Sequence, residues 1–172
     1  MDTPTDKPAF HATKIALIGV LVACALVLSY VESLIPLPLP VPGIKLGIAN
    51  AISLLALYLI DGRTALQVNV CRILLAGLLF SGFSAMLYGL TGGVLSVLVM
   101  IALKRSGKFS IVGVSIAGAS AHITGQITVA ALVIQNTAIF FTLPILLISA
   151  IITGAFIGYL THLILKHLPK TF

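Results

Sequence analysis

Long apolar runs separated by short polar breaks fill this chain almost from end to end. Six of them read as helices, at about 13–33, 44–60, 63–80, 82–103, 110–134 and 143–167. A membrane-spanning helix needs roughly 20 mostly apolar residues, and each run approaches or exceeds that length. The breaks are chemically marked. Pro36, Pro38, Pro40 and Pro42 alternate ahead of Gly43, a pattern that forbids helix and favours an extended connector. Asp61-Gly62-Arg63 reads as a tight polar turn, Ser81-Gly82 as a short one, and Lys104 to Ser110 as a basic loop. Gln135-Asn136-Thr137 begins a polar loop that ends near Pro144, a residue suited to a first helical turn. The expected fold is an all-α membrane protein, a compact bundle of about six transmembrane helices. Residues 1–12 form a polar tail, 13–168 a single transmembrane domain and 169–172 a short polar end.

Composition sharpens that picture. Hydrophobic residues make up 59% of the 172 and charged residues only 8%, where a soluble domain carries about 25%. Too few charges remain to cover a water-facing surface, so the bilayer is the solvent. The net charge of +6 raises the question of nucleic acid, but the charges sit at the ends of apolar runs, where basic residues set topology. Lys7 and Lys14 precede the first run, Arg63 follows the second, Lys104, Arg105 and Lys108 follow the fourth, and Lys166 and Lys170 close the chain. The alternate ends carry only Lys45, with Glu32 as counter-charge. The positive-inside rule then gives cytoplasmic termini and a multi-pass protein of the bacterial inner (plasma) membrane, with no nucleic-acid partner. The run from Lys14 to Val31 is too long for a signal-peptide core and has no A-x-A site after it, so it is expected to stay as a helix. Cys24 and Cys71 fall inside apolar segments and read as small buried hydrophobes rather than a disulfide pair.

Small residues recur at helical spacing. The first predicted helix has Ala12, Ala16, Gly19 and Ala23, the fifth has Gly113, Ala117, Ala121 and Gly125, and the sixth has Ala150, Gly154 and Gly158. Such stripes let backbones approach closely in lipid, where the usual hydrophobic drive is absent. They serve packing within the bundle or the docking of a partner. The first helix is the better docking candidate, because its stripe starts at the cytoplasmic edge.

The chain offers little for catalysis. Its four acidic residues are Asp2, Asp6, Glu32 and Asp61, with no aspartate-rich D-D-x-x-D run for magnesium and a diphosphate. There is no Walker A loop either: Gly107-Lys108 is followed by Phe109, and no glycine stands five residues before Gly107. The histidines lack zinc-site spacing, so neither a metal nor another cofactor is expected. What remains is a sparse polar set at membrane depth. Arg72 and Asn69 share a face of the third helix, and a charge at that depth costs at least about 2.5–3.5 kcal/mol on insertion scales. His122 and Gln126 are four apart on the fifth helix, and Asn50 lies below Lys45 on the second. Glu32 and Asp61 are expected at opposite surfaces, leaving no carboxylate at the depth of Arg72. Arg72 then pairs with backbone carbonyls, snorkels, or holds an anionic ligand. His122 with Gln126, and Asn50, serve either interhelical hydrogen bonds or a ligand. Tyr30, Tyr88 and Tyr159 read as packing or interface residues, and Gly89, Gly92 and Gly93 as sites of close packing or a kink.

The run Pro42-Gly43-Ile44-Lys45-Leu46-Gly47-Ile48-Ala49-Asn50, continuing to Leu59 and Asp61-Gly62, resembles the Gx transporter family. Val70-Cys71-Arg72-Ile73-Leu74, Gly92-Gly93-Val94-Leu95-Ser96, and Gly118 to Gln126 around His122 are similar too. The resemblance covers about residues 13–168. Members also carry the name heptaprenyl diphosphate synthase component I, and the family in turn resembles the S components of energy-coupling-factor transporters. The transporter resemblance implies a subunit that binds a small, anionic solute, with energy supplied by a coupling transmembrane protein and two ATPases. It implies that Ala12, Ala16, Gly19 and Ala23 meet the coupling protein, and that the proline-alternating segment roofs a solute site in the outer half. Arg72, Asn69, His122, Gln126, Asn50 and Lys45 are the candidate contacts. The synthase name implies instead a non-catalytic membrane component acting in menaquinone side-chain synthesis, beside a soluble catalytic subunit. Arg72 suits a diphosphate or a carboxylate equally.

Overall fold

The computed structural model describes residues 6–35, 45 and 47–167, with side chains from Thr13 onward. The proline-alternating connector expected to roof the site, Leu46, and Lys170 in the closing segment lie outside the described residues, as does the side chain of Ala12. Every regular element among the described residues is helical. The order is α1 (Asp6–Ser33), α2 (Asn50–Leu59), α3 (Gly62–Ala76), a π-turn (Gly77–Ser81), α4 (Gly82–Ser106), α5 (Ile111–Ile134), a 3-10 turn (Thr137–Thr142) and α6 (Leu143–His167). Four helical stretches are long and apolar enough to cross a membrane: Thr13–Ser33, Gly62–Ser106, Ile111–Ile134 and Thr137–His167. The chain is an all-helical membrane protein.

Two features depart from six simple spans. The expected helix over 44–60 starts only at Asn50, so at 1.5 Å per residue its 10 residues cover about 15 Å, half of the roughly 30 Å hydrocarbon core. The physical reason is Gly47, whose φ of +85° is left-handed and cannot belong to an α-helix. Second, Gly62–Ser106 is a 45-residue helical stretch that doubles back on itself at Gly82, where φ is +80°. A side-chain carbon added at Gly62 would meet Ile101, at Gly89 Ile73, and at Gly77 Met86, which makes α3 and α4 an antiparallel hairpin.

Small residues hold the other helices together. A carbon added at Gly125 would lie 2.9 Å from Cα of Gly92, and one at Gly158 would lie 2.7 Å from Cα of Val112. Backbones of α4, α5 and α6 therefore touch almost directly, as expected where lipid competes for every larger side chain. Gly154 packs in the same way on Ile116. The α1 stripe differs: Ala16, Gly19 and Ala23 are exposed, and nothing lies within 4 Å of a carbon added at Gly19. Cys24 and Cys71 are also exposed and unpaired, which corrects the expectation that they are buried. An apolar run in a bundle faces either neighbours or lipid, and these two sulfurs face outward.

The ends of the bundle are chemically distinct. At one end Asp61 caps α3, accepting the Thr64 N–H at 2.6 Å and pairing with Lys14 at 3.0 Å. The Thr64 N–H bond, opposed by partial burial and reinforced by Lys14, holds its carboxyl at about 2. At the same end Lys104 donates to the Leu57 carbonyl at 2.6 Å and lies over the Tyr58 ring, while Arg63 and Arg105 line one groove with Asp61. Exposed hydroxyls along the spans, such as Thr124, Thr128 and Ser149, donate to carbonyls four residues back, which satisfies them where lipid offers no partner.

Candidate functional site

Toward the other end, polar side chains converge in the interior. Arg72 lies ten residues into α3, about 15 Å from its start at 1.5 Å per residue, and is only 5% exposed. One terminal nitrogen donates to Ser29 Oγ of α1 at 3.0 Å. The other donates to Asn69 Oδ1 at 2.6 Å and Asn50 Oδ1 at 3.3 Å. One guanidinium thus ties α1, α2 and α3 together. All three partners are neutral side-chain oxygens; the backbone carbonyls considered as partners, and the snorkelling route, are both set aside by this geometry.

A second chain of bonds lies alongside. Gln126 accepts the Lys45 backbone N–H at 3.1 Å through Oε1, and its Nε2 meets His122 Nε2 at 2.9 Å. With the amide oxygen committed to Lys45, the amide nitrogen must donate, so His122 accepts at Nε2. The Lys45 ammonium reaches Ser81 Oγ at 2.6 Å and sits 5.5 Å above the centre of the Phe80 ring, which in turn packs edge-on against Tyr30. Burial holds that ammonium below its ordinary value; Glu32 opposes the shift and Arg72 adds to it.

Gly47 joins the two chains. A carbon added there would meet His122 Cδ2 at 2.9 Å and Asn50 Nδ2 at 3.1 Å, so only a glycine backbone fits between them. Arg72, Asn69, Asn50, Lys45, His122 and Gln126, six residues from three stretches of the sequence, therefore form one polar cluster. Arg72, Lys45, His122 and Gln126 line a cavity of about 20 Å³ together with Glu32 and Gly47, and that volume holds roughly one water molecule. Tyr88 is buried core, whereas Tyr159 is exposed. Gly92 and Gly93 are close-packing sites against His122 and Asn69.

Glu32 corrects the reading from sequence. Expected at the surface, it is 3% exposed and lines the same cavity as Arg72. Its Oε1 accepts the Gly47 N–H at 2.6 Å and the Ile48 N–H at 3.3 Å. A carboxylate thus caps the turn that leads into α2, where free N–H groups concentrate positive potential. Ser29 and Ser81 are the other participants that spacing alone does not single out. Counting Arg72 and Lys45 against Glu32, the cluster carries one more formal positive charge than negative.

Fold and site define the class: an all-helical membrane protein with a buried, cation-rich polar centre. Within that class the chain belongs to the heptaprenyl diphosphate synthase component I family, whose model matches residues 21–164. Neither a curated protein nor a solved structure matches it. Of the two family names suggested by resemblance, the matching one is component I.

Proposed function

We propose that this chain is the non-catalytic membrane component of a prenyl diphosphate synthase, holding an anionic head group at Arg72 while a soluble subunit performs the chemistry. The observation that carries this reading is the uncompensated charge. Arg72 spends its terminal nitrogens on neutral partners, and with Lys45 the cluster holds two cations against the single carboxylate of Glu32, an excess of buried charge that is costly. An incoming diphosphate would supply that counter-charge through short, charge-assisted bonds. The sequence has no aspartate-rich D-D-x-x-D run, and on this reading the partner's carboxylates would hold the magnesium of a prenyl transferase. Six membrane segments with both ends in the cytoplasm fit the gathering of Lys14, Arg63, Lys104 and Arg105 at one end. On this topology the chain sits in the bacterial plasma membrane.

A second reading draws on the enclosure of the site. A cavity that holds roughly one water, walled by α1, α3, α4 and α5 and the residues leading into α2, suits capture of a small anionic solute better than of a long isoprenoid tail. The chain would then be an S-component-like subunit, and the bare α1 stripe of Ala16, Gly19 and Ala23 would seat a coupling protein that works with two ATPases. Purification from native membranes in mild detergent, with mass spectrometry of everything bound, separates the two. A soluble, aspartate-rich synthase is the expected companion. Recovery of two ATPases and a coupling membrane protein instead would overturn the synthase reading in favour of the transporter.

A further inference from the structure

The cavity at Arg72 is too small for any diphosphate or carboxylate, so something must leave before an anion enters. Glu32 is the group that stands in the way. Its carboxylate occupies the one place in the site where two main-chain N–H groups, those of Gly47 and Ile48, point inward at the turn opening α2. It holds them with Oε1 alone. Oε2 is buried and has no hydrogen-bond partner, and neither has Nε of Arg72. The two residues line the same cavity yet form no ion pair; the one ion pair among the described residues is Lys14 with Asp61. A carboxylate that was simply the counter-ion of Arg72 would be expected to dock on the guanidinium fork, the strongest geometry available to it.

We infer that Glu32 is an internal stand-in for the ligand's anionic group, plugging an oxyanion cradle made of the Gly47 and Ile48 amides, Arg72 and Lys45, and that it is displaced when a phosphate or carboxylate group enters. This rests on the anion-binding reading of Arg72 and adds a gate to it. The cradle has the recognised ingredients of an anion site: backbone amides at a helix start and flanking cations. Gly47 is what makes it possible, since its left-handed φ of +85° turns two successive amides toward one point and its missing side chain leaves room beside His122. Displacement has a mechanical consequence. Glu32 links the last turn of α1 to the turn that leads into α2, alongside the Arg72 bridge from Ser29 to Asn50, so an entering anion loosens the end of α1 from that turn. Binding is thereby coupled to a movement at the mouth of the site. The intact chain with Glu32 in place pays for self-occupation with a lower apparent affinity, because only the unplugged fraction is competent.

The test uses the full-length protein in nanodiscs, inorganic pyrophosphate as probe, and isothermal titration of wild type, Glu32→Gln and Glu32→Asp. Glu32→Gln keeps an acceptor for the two amides but removes the competing charge, and is expected to tighten pyrophosphate binding about tenfold or more. Glu32→Asp keeps the charge on an arm one carbon shorter and is expected to fall between. Protein that keeps Glu32 and carries Ser33→Cys, with the exposed Cys24 and Cys71 replaced by alanine, supplies a readout that does not depend on the Glu32 variants folding. Ser33 lies beside Glu32 at the exposed end of α1, and its maleimide reactivity should rise with saturating pyrophosphate. Pyrophosphate binding that Glu32→Gln leaves equal or weakens, with unchanged Ser33→Cys reactivity, overturns the gate while leaving Arg72 as an anion site. Absence of pyrophosphate binding in both wild type and Glu32→Gln, with both folded, removes the anion site itself.

Discussion

Replacing Arg72 by alanine separates a ligand-holding arginine from one that only staples helices. The structure sets both sides of the estimate. The arginine makes three bonds, of which the contact to Asn69 is short at 2.6 Å and the contact to Asn50 long at 3.3 Å. Nδ2 of both asparagines already lacks a partner, so loss of Arg72 leaves the two carboxamides unpaired, at about 1–3 kcal/mol each. Removing a buried cation that no ion pair neutralises returns part of its desolvation cost in the opposite direction, and the vacated space admits water to the asparagines. The net stability loss is therefore expected to be about 1–3 kcal/mol, which is about 2–12 °C of melting temperature for a chain of this size. Binding has no such offset. Two charge-assisted bonds to a phosphate, at about 1.5–3 kcal/mol each, amount to a loss of at least 100-fold. Thermal unfolding in detergent and pyrophosphate titration in nanodiscs measure the two separately. A folded Arg72→Ala protein whose pyrophosphate affinity lies within threefold of wild type would refute the reasoning and leave Arg72 a structural staple.

Three smaller perturbations probe the frame. Gly47→Ala forces a side chain into a left-handed conformation, about 1–2 kcal/mol, and against His122; it should lower the melting temperature and abolish pyrophosphate binding together. Gly125→Ala should cost about 1–3 kcal/mol in thermal unfolding because the new carbon meets the backbone of Gly92, whereas Gly19→Ala, with nothing nearby, should leave stability unchanged. Asp61 has its carboxyl depressed from 3.8 to about 2, so its contribution is complete above pH 4 and is lost as the pH falls toward 2. Unfolding curves of wild type and Asp61→Ala should differ at neutral pH, by about 0.5–2 kcal/mol for the lost cap, and converge below pH 2.

Much of the site was legible because helical spacing is local information. Asn69 and Arg72, three apart, and His122 and Gln126, four apart, had to share faces once their runs were recognised as helices. The polar pairs also stood out against an apolar background. What sequence does not encode locally is which partners meet. The bond from the Lys45 amide to Gln126 joins residues 81 apart, and nothing in either run announces it. Glu32 was misplaced for a related reason. A carboxylate at the end of an apolar run ordinarily marks the membrane surface, and only the tertiary placement of Gly47 and Ile48 gives it a buried task. The second helix is shorter than its run predicts, because Ile44 to Ala49 are mostly apolar and the left-handed turn at Gly47 interrupts them with little change in hydropathy. Helix faces were the least readable feature. The spans are apolar all round, so the pattern does not distinguish a neighbour from lipid, and the outward placement of Cys24 and Cys71 is not legible in it.

The central claim is that the buried Arg72 site serves prenyl diphosphate synthesis. It is tested most directly by measuring the chain-length distribution of cellular polyprenyl diphosphates, by mass spectrometry, in cells lacking this protein and in cells complemented with wild type or Arg72→Ala. The account predicts that long-chain products disappear on deletion, return with wild type, and fail to return with an Arg72→Ala protein expressed at the same level in the membrane. An unchanged distribution in the deletion strain would contradict it.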